Sequence, residues 1–131
     1  MKRDRSKIRV VAWVGSAKDD LKGFPEEVQD EIGHALLDAQ SGGKSPNAKP
    51  FNELGPGTSV MKIVADHDGD TYRVAYTVRL EMAVYVLHCF QKKSPHGIET
   101  PKKELDTIKA RLQRAKETDA QLVRPKRRKG A

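Results

Sequence analysis

The sequence predicts an α+β fold, a small twisted antiparallel sheet with N-terminal helices packed on one side and a C-terminal helix. Three observations lead there. One amphipathic helical pattern lies between residues 24 and 43, three apolar runs follow from Ser59 with short turn signals between them, and a second helical pattern starts after Thr100. Strands grouped together, with helices before and after, favour a layered α+β arrangement over a doubly wound parallel sheet. With 131 residues, 37% of them hydrophobic, the chain suffices for one ordinary core and not for two. The expected division is a basic arm at 1–7, a folded body at 8–115 and a flexible basic tail at 116–131.

Taken in order, Ile8 to Val14 (IRVVAWV) is β-branched and apolar and reads as a largely buried strand. Ser16 then precedes AKDDLKGF as the N-cap of a short helical turn. In FPEEVQDEIGHALLDAQSGG, Pro25 suits the first turn, and Glu26 and Glu27 sit where the helix dipole favours anions. Gly42 and Gly43 stop the helix. Val28, Ile32, Ala35, Leu36 and Ala39 form one apolar stripe along it.

The Pro-, Gly- and Ser-rich stretch from Lys44 to Ser59 reads as a loop, with Phe51 and Leu54 as anchors. The runs Val60–Ala65, Tyr72–Val78 and Ala83–Phe90 then make an antiparallel meander. Its first turn is marked by Asp68-Gly69 and its second by RLEM. Thr100 caps and Pro101 opens the last helix, where Leu105, Ile108, Leu112 and Ala115 recur at helical spacing. Beyond Ala115 no core-forming period is apparent, and the tail is expected to be mobile.

Charge is unevenly placed. The net charge of +7 comes entirely from the two ends, because the body from 8 to 115 holds 15 basic and 15 acidic residues. Within the body, residues 8–70 sum to −5 and residues 71–115 to +5. A polarised molecule of this kind turns its second half toward phosphate; the plainer alternative is chance placement on solvated faces. The single cysteine, Cys89, rules out an internal disulfide and a multi-thiolate zinc site, and reads as a buried strand residue. No 18-residue apolar run and no signal-like N-terminus is present, so a cytoplasmic protein without membrane contact is expected. Asp66, Asp68 and Asp70 have a calcium-loop look, but the glycine is misplaced and the closing glutamate missing, so they read as a turn. No metal and no cofactor is expected.

The motifs FPEEVQDEIGHALLDAQSGG (24–43), AKPFNELG (48–55), DHDGDTYRVAYTV (66–78), YVLHCFQKKS (85–94) and ETPKKELDTIKARL (99–112), in that order, resemble the RelE/ParE superfamily of toxins. More narrowly they resemble its phage-related Gp49-like branch, also called Tad- or HigB-type. The resemblance spans about residues 8–115. It implies a RelE-like sheet and the toxin of a type II toxin–antitoxin system, inhibiting translation by ribosome-dependent, metal-independent mRNA cleavage. The implied partners are the ribosome, mRNA and a cognate helix-turn-helix antitoxin in a hetero-oligomer. Two other readings stay open: a non-enzymatic inhibitor of DNA gyrase or the ribosome, and a regulatory module acting with its antitoxin.

Such cleavage requires groups that deprotonate a 2′-hydroxyl, stabilise a phosphorane and protonate a leaving oxygen, work open to clustered cations. The resemblance implies that Arg73 holds the scissile phosphate. The alternative is a structural arginine paired with an acid such as Asp70. Strand alternation puts Arg73, Ala75 and Thr77 on one face and Tyr72, Val74, Tyr76 and Val78 on the other, the second set being the core face. Lys62 interrupts an apolar strand and serves as base or second phosphate clamp, or is an ordinary exposed lysine. Lys92 and Lys93 close the last strand, and parity alone does not decide which joins Arg73. Lys92 is assigned to catalysis, and Lys93, His96 and Arg79 to RNA contact. His88 reads first as a satisfied core histidine, and His34 as a solvated one.

Overall fold

The computed structural model describes residues 8–92 and 100–129, with side chains of the last helix described through Val123. Lys93 and His96, like the arm at 1–7, lie outside the described residues. The elements run β1 (Val11–Trp13), α1 (Ala17–Lys22), α2 (Glu26–Gln40), β2 (Ala48–Pro50), a 3₁₀ turn (Asn52–Leu54), β3 (Val60–His67), β4 (Asp70–Thr77), β5 (Val84–Lys92) and α3 (Lys102–Lys129). The α+β class stands. Strands β3, β4 and β5 form the expected antiparallel meander, and Asp68 (φ 50°) with Gly69 (φ 82°) makes the two-residue turn between β3 and β4.

Three features depart from the sequence reading. The sheet is mixed, in the order β1-β5-β4-β3-β2, because β1 pairs in parallel with β5, Val11 opposite Val84. As an edge strand β1 is half-buried rather than largely buried. The segment read wholly as loop contributes β2, antiparallel to β3, although its anchors behave as expected, with Phe51 fully buried. The last helix continues past Ala115 and remains packed as far as Asp119 and Val123, so the expected tail is helical over 116–129.

Both faces of the sheet are covered. On one, the α2 stripe of Val28, Ile32, Ala35, Leu36 and Ala39 packs with Ile63, Tyr72, Val74, Tyr76, Val84 and Val86. On the other, Ile108 and Ala115 of α3 pack with Phe51, Val60, Ala75, Tyr85, Leu87 and Phe90. Burying Arg73's face as well as Tyr72's is the work of α3.

A register shift in β5 explains how one strand serves both layers. Ala75 pairs with His88 but Tyr76 pairs with Val86, leaving Leu87 as an extra residue. The alternation therefore changes phase, so Val84 and Val86 face α2 with Cys89, while Tyr85, Leu87 and Phe90 face α3. Burial raises the Cys89 thiol to about 12, which leaves it inert.

Candidate functional site

On the α3 side of the sheet, three rows cross strands β3, β4 and β5: Lys62–Ala75–His88, Val64–Arg73–Phe90 and Asp66–Thr71–Lys92. Lys62, Arg73 and Lys92 thus step diagonally over one face. Two residues beyond Phe90, Lys92 shares its side of the strand and so lies on the face of Arg73.

Arg73 is not an open cation. It is 8% exposed, its Nη1 donates to Thr100 Oγ1 at 3.1 Å, and Glu53 Oε1 lies 3.7 Å away. The same Glu53 oxygen is 3.5 Å from Lys62 Nζ, whose ammonium also sits 5.2 Å from the centroid of the Phe51 ring. The other Glu53 oxygen accepts the backbone N–H of Thr100. One carboxylate therefore joins β3, β4 and the approach to α3. Burial pushes the Glu53 carboxyl up, but the Thr100 amide and hydroxyl together with Lys62 outweigh it and hold it below its ordinary value.

Several expectations need correction. The acidic partner of Arg73 is Glu53 and not Asp70, which is exposed at the hairpin end opposite His67. Lys62 is not an ordinary exposed lysine: it is half-buried and faces the Glu53 carboxylate. Thr100 caps no helix amide with its side chain; it links Arg73 to Glu53, and the first α3 amides bond to Pro101 O. Glu53 was missed as a site residue. Its signal was its place between two apolar anchors, Phe51 and Leu54, which draw the 3₁₀ turn against the sheet.

Arg73 Nε is buried without a hydrogen-bond partner, the only side-chain nitrogen or oxygen in that state among the described residues. Buried guanidinium donors are rarely left unpaired in a purely structural setting. Lys92 is buried as well and has interactions of its own.

His88, which the sequence marks as a core histidine, adjoins this group. It is 8% exposed and stacks on Phe90, with ring centroids 4.9 Å apart. Its Nε2 is 3.1 Å from Glu104 Oε1, and Arg111 Nη1 is 3.4 Å from its Nδ1. Since arginine only donates, the pattern fits a ring that accepts at Nδ1 and donates from Nε2 to Glu104. Arg111 is itself fixed by Leu87 O and Ser16 Oγ, and passes so close to Gly15 that a Cβ there would meet its Nε at 2.8 Å. His34 is exposed, as read.

Arg79 lies elsewhere. It is exposed, just beyond β4, and lines a hollow of about 310 Å³ on the opposite side of the sheet with Lys44, Pro50, Met61, Tyr76 and others. The structure does not bring it together with Arg73. Among the described residues, no group of three or more His, Cys, Asp or Glu side chains is placed to hold a metal, and no helix is long and apolar enough to cross a membrane.

No curated protein matches the chain at a significant level. The family model described as phage-derived protein Gp49-like (DUF891) matches residues 19–113, from within α1 to the middle of α3, and so takes in Glu53, Lys62, Arg73, His88 and Lys92. Proteins of this family are commonly toxin-like, of the RelE and HigB type. With most of its length matched, and the sheet and helices that carry the site inside the match, the chain belongs to the phage-derived Gp49-like family (DUF891).

Proposed function

We propose that this protein is the toxin of a type II toxin–antitoxin pair and that it cleaves mRNA on the ribosome, in the cytoplasm, until a helix-turn-helix antitoxin binds it. The observation that carries the reading is Arg73, a buried arginine with an unpartnered Nε, on the same sheet face as Lys62 and Lys92. Family membership supports the toxin class.

In the proposed reaction the 2′-oxygen attacks the adjacent phosphorus while the bond from phosphorus to the 5′-oxygen breaks. The products are a 2′,3′-cyclic phosphate and a 5′-hydroxyl end. Arg73 offers paired donors to the phosphorane, and Lys62 a second positive charge. Glu53, an ionised carboxylate beside both clamps, accepts the 2′-hydroxyl proton, and a proton returns to the 5′-oxygen.

Induction of the chain in growing cells, with mapping of mRNA 5′ ends, tests this. Growth arrest with new in-frame ends is expected, and Arg73→Ala should lower cleavage by roughly 10²–10³-fold, the range for losing one transition-state donor. Undiminished cleavage by the triple variant Lys62→Ala, Arg73→Ala, Lys92→Ala removes this site. A second reading, inhibition of gyrase or the ribosome by binding alone, is favoured by Glu53, whose single charge offsets part of the positive charge of Arg73 and Lys62. It predicts arrest with intact mRNA ends, and for gyrase a loss of supercoiling.

A further inference from the structure

The hollow on the α2 side of the sheet is separate from the Arg73 site. Pro50, Met61 and Tyr76 lie in one row across β2, β3 and β4, on the face that packs with α2, whereas Arg73 and Lys62 belong to the α3 face. Strands stand about 4.8 Å apart, so this row presents an apolar strip roughly 10 Å long. Gly43 and Lys44, in the chain leaving α2, and Arg79, in the chain leaving β4, flank it.

Three observations mark it as a site for a ligand. Tyr76 is 2% exposed, and its hydroxyl, which has no hydrogen-bond partner among the described residues, is not fully sealed from solvent. Lys44 and Arg79 are exposed and neither has a carboxylate within ion-pair distance among the described residues. At about 310 Å³ the hollow is at the small end of ligand pockets, with room for one planar ring and its sugar but none for a helix or duplex. An apolar strip, one unpartnered hydroxyl and two uncompensated cations complement a ligand that is flat and apolar at one end and anionic at the other.

We propose that this hollow binds a single nucleotide of an RNA strand, with its base against Pro50 and Met61 and within reach of the Tyr76 hydroxyl, and its phosphate between Lys44 and Arg79. The choice of RNA over another nucleotide-bearing polymer rests on the function proposed above. A phosphodiester and a side-chain carboxylate each carry one negative charge, so the choice of a nucleotide over an acidic peptide rests on the flat apolar strip beside the cations and on that proposed function, and the peptide is an arm of the test. Single-stranded RNA is read in this way, by packing of splayed bases on side chains beside a cationic track.

Calorimetric titration of the full chain tests the proposal, with uridine and adenosine 5′-monophosphates, inorganic phosphate and a short acidic, aromatic peptide as probes. We expect saturable binding of a mononucleotide at least tenfold tighter than inorganic phosphate. Arg79→Ala should weaken it about tenfold, the scale of one charge-assisted bond. Tyr76→Phe should weaken it several-fold, and Arg73→Ala should leave it unchanged. Equal affinity for inorganic phosphate would reduce the hollow to an anion site and overturn the proposal. So would tighter binding of the peptide, no saturable binding, or indifference to Arg79→Ala. Because this readout is affinity, it separates from the mRNA assay: intact mRNA in cells alongside nucleotide binding here defeats the cleavage reading and leaves the pocket standing.

Discussion

Replacing Glu53 by glutamine keeps the length and shape of the side chain and removes the charge that Lys62 and Arg73 share. The buried guanidinium then lacks its anion, and a loss of about 1–3 kcal/mol in stability is expected in chemical denaturation. The pH dependence follows from the depressed carboxyl. Its contribution is complete above the unfolded value of about 4.5 and is lost as pH falls through the lower folded value. Wild type should therefore lose more stability than Glu53→Gln on acidification below about 4.5, a difference that paired denaturation curves would measure. If glutamine supports mRNA cleavage at the wild-type rate, Glu53 is a counterion and not the proton acceptor. At His88 the expectation is spectroscopic. Nitrogen-correlated NMR of the neutral ring should show the proton on Nε2, and a proton on Nδ1 would contradict the Arg111 contact.

At the scale of elements, the chain between β4 and β5 is clamped from two sides. Arg9 donates to Val78 O and Leu80 O, while Asp119 of α3 accepts from the amides of Glu81 and Met82 and from the Tyr85 hydroxyl. Burial, together with Asp119, pushes the Tyr85 hydroxyl up to about 12, so it remains a donor through the physiological range. Asp119→Ala would strand these donors, and a cost of about 3 kcal/mol is expected in thermal denaturation. Deleting residues 116–131 should cost at least as much. Hydrogen exchange at the Glu81 and Met82 amides would show whether that loss is local to the clamp.

These elements also show where the sequence was readable. The α2 stripe and the Asp68-Gly69 turn are local patterns, fixed by spacing and backbone preference, and both were legible. The pairing of β1 with β5 is not local, nor is the clamp by Asp119, because an acid within a basic, non-periodic segment carries no signal until its partners are known. The extra residue at Leu87 had a larger effect, since it changes which side chains of β5 share a face and so undermines alternation as a guide to the site. Arg73, Lys62 and Lys92 were found as types in the right strands. Their counterion was missed because it comes from a 3₁₀ turn in what read as loop.

For the whole molecule, the uneven charge makes a measurable statement. If association with the ribosome or RNA rests on cations meeting phosphate, log affinity should fall linearly with log salt concentration. Arg79→Ala and Lys44→Ala should each shallow that slope by roughly 0.7–0.9, the value for one phosphate contact, whereas an unchanged slope would place the contact elsewhere.

The parallel pairing of the first strand with the last sets the order in which this protein can become itself. Val11 meets Val84, 73 positions later, with both helices of the first layer and three strands in between. Closing so long a loop is slow and gains nothing until its far end exists. A nascent chain therefore carries β1 unpaired until β5 has been made. The face that holds Arg73 stays bare still longer, until α3 has been synthesised. A protein proposed to attack translating ribosomes thus has no assembled site until both β5 and α3 have been synthesised.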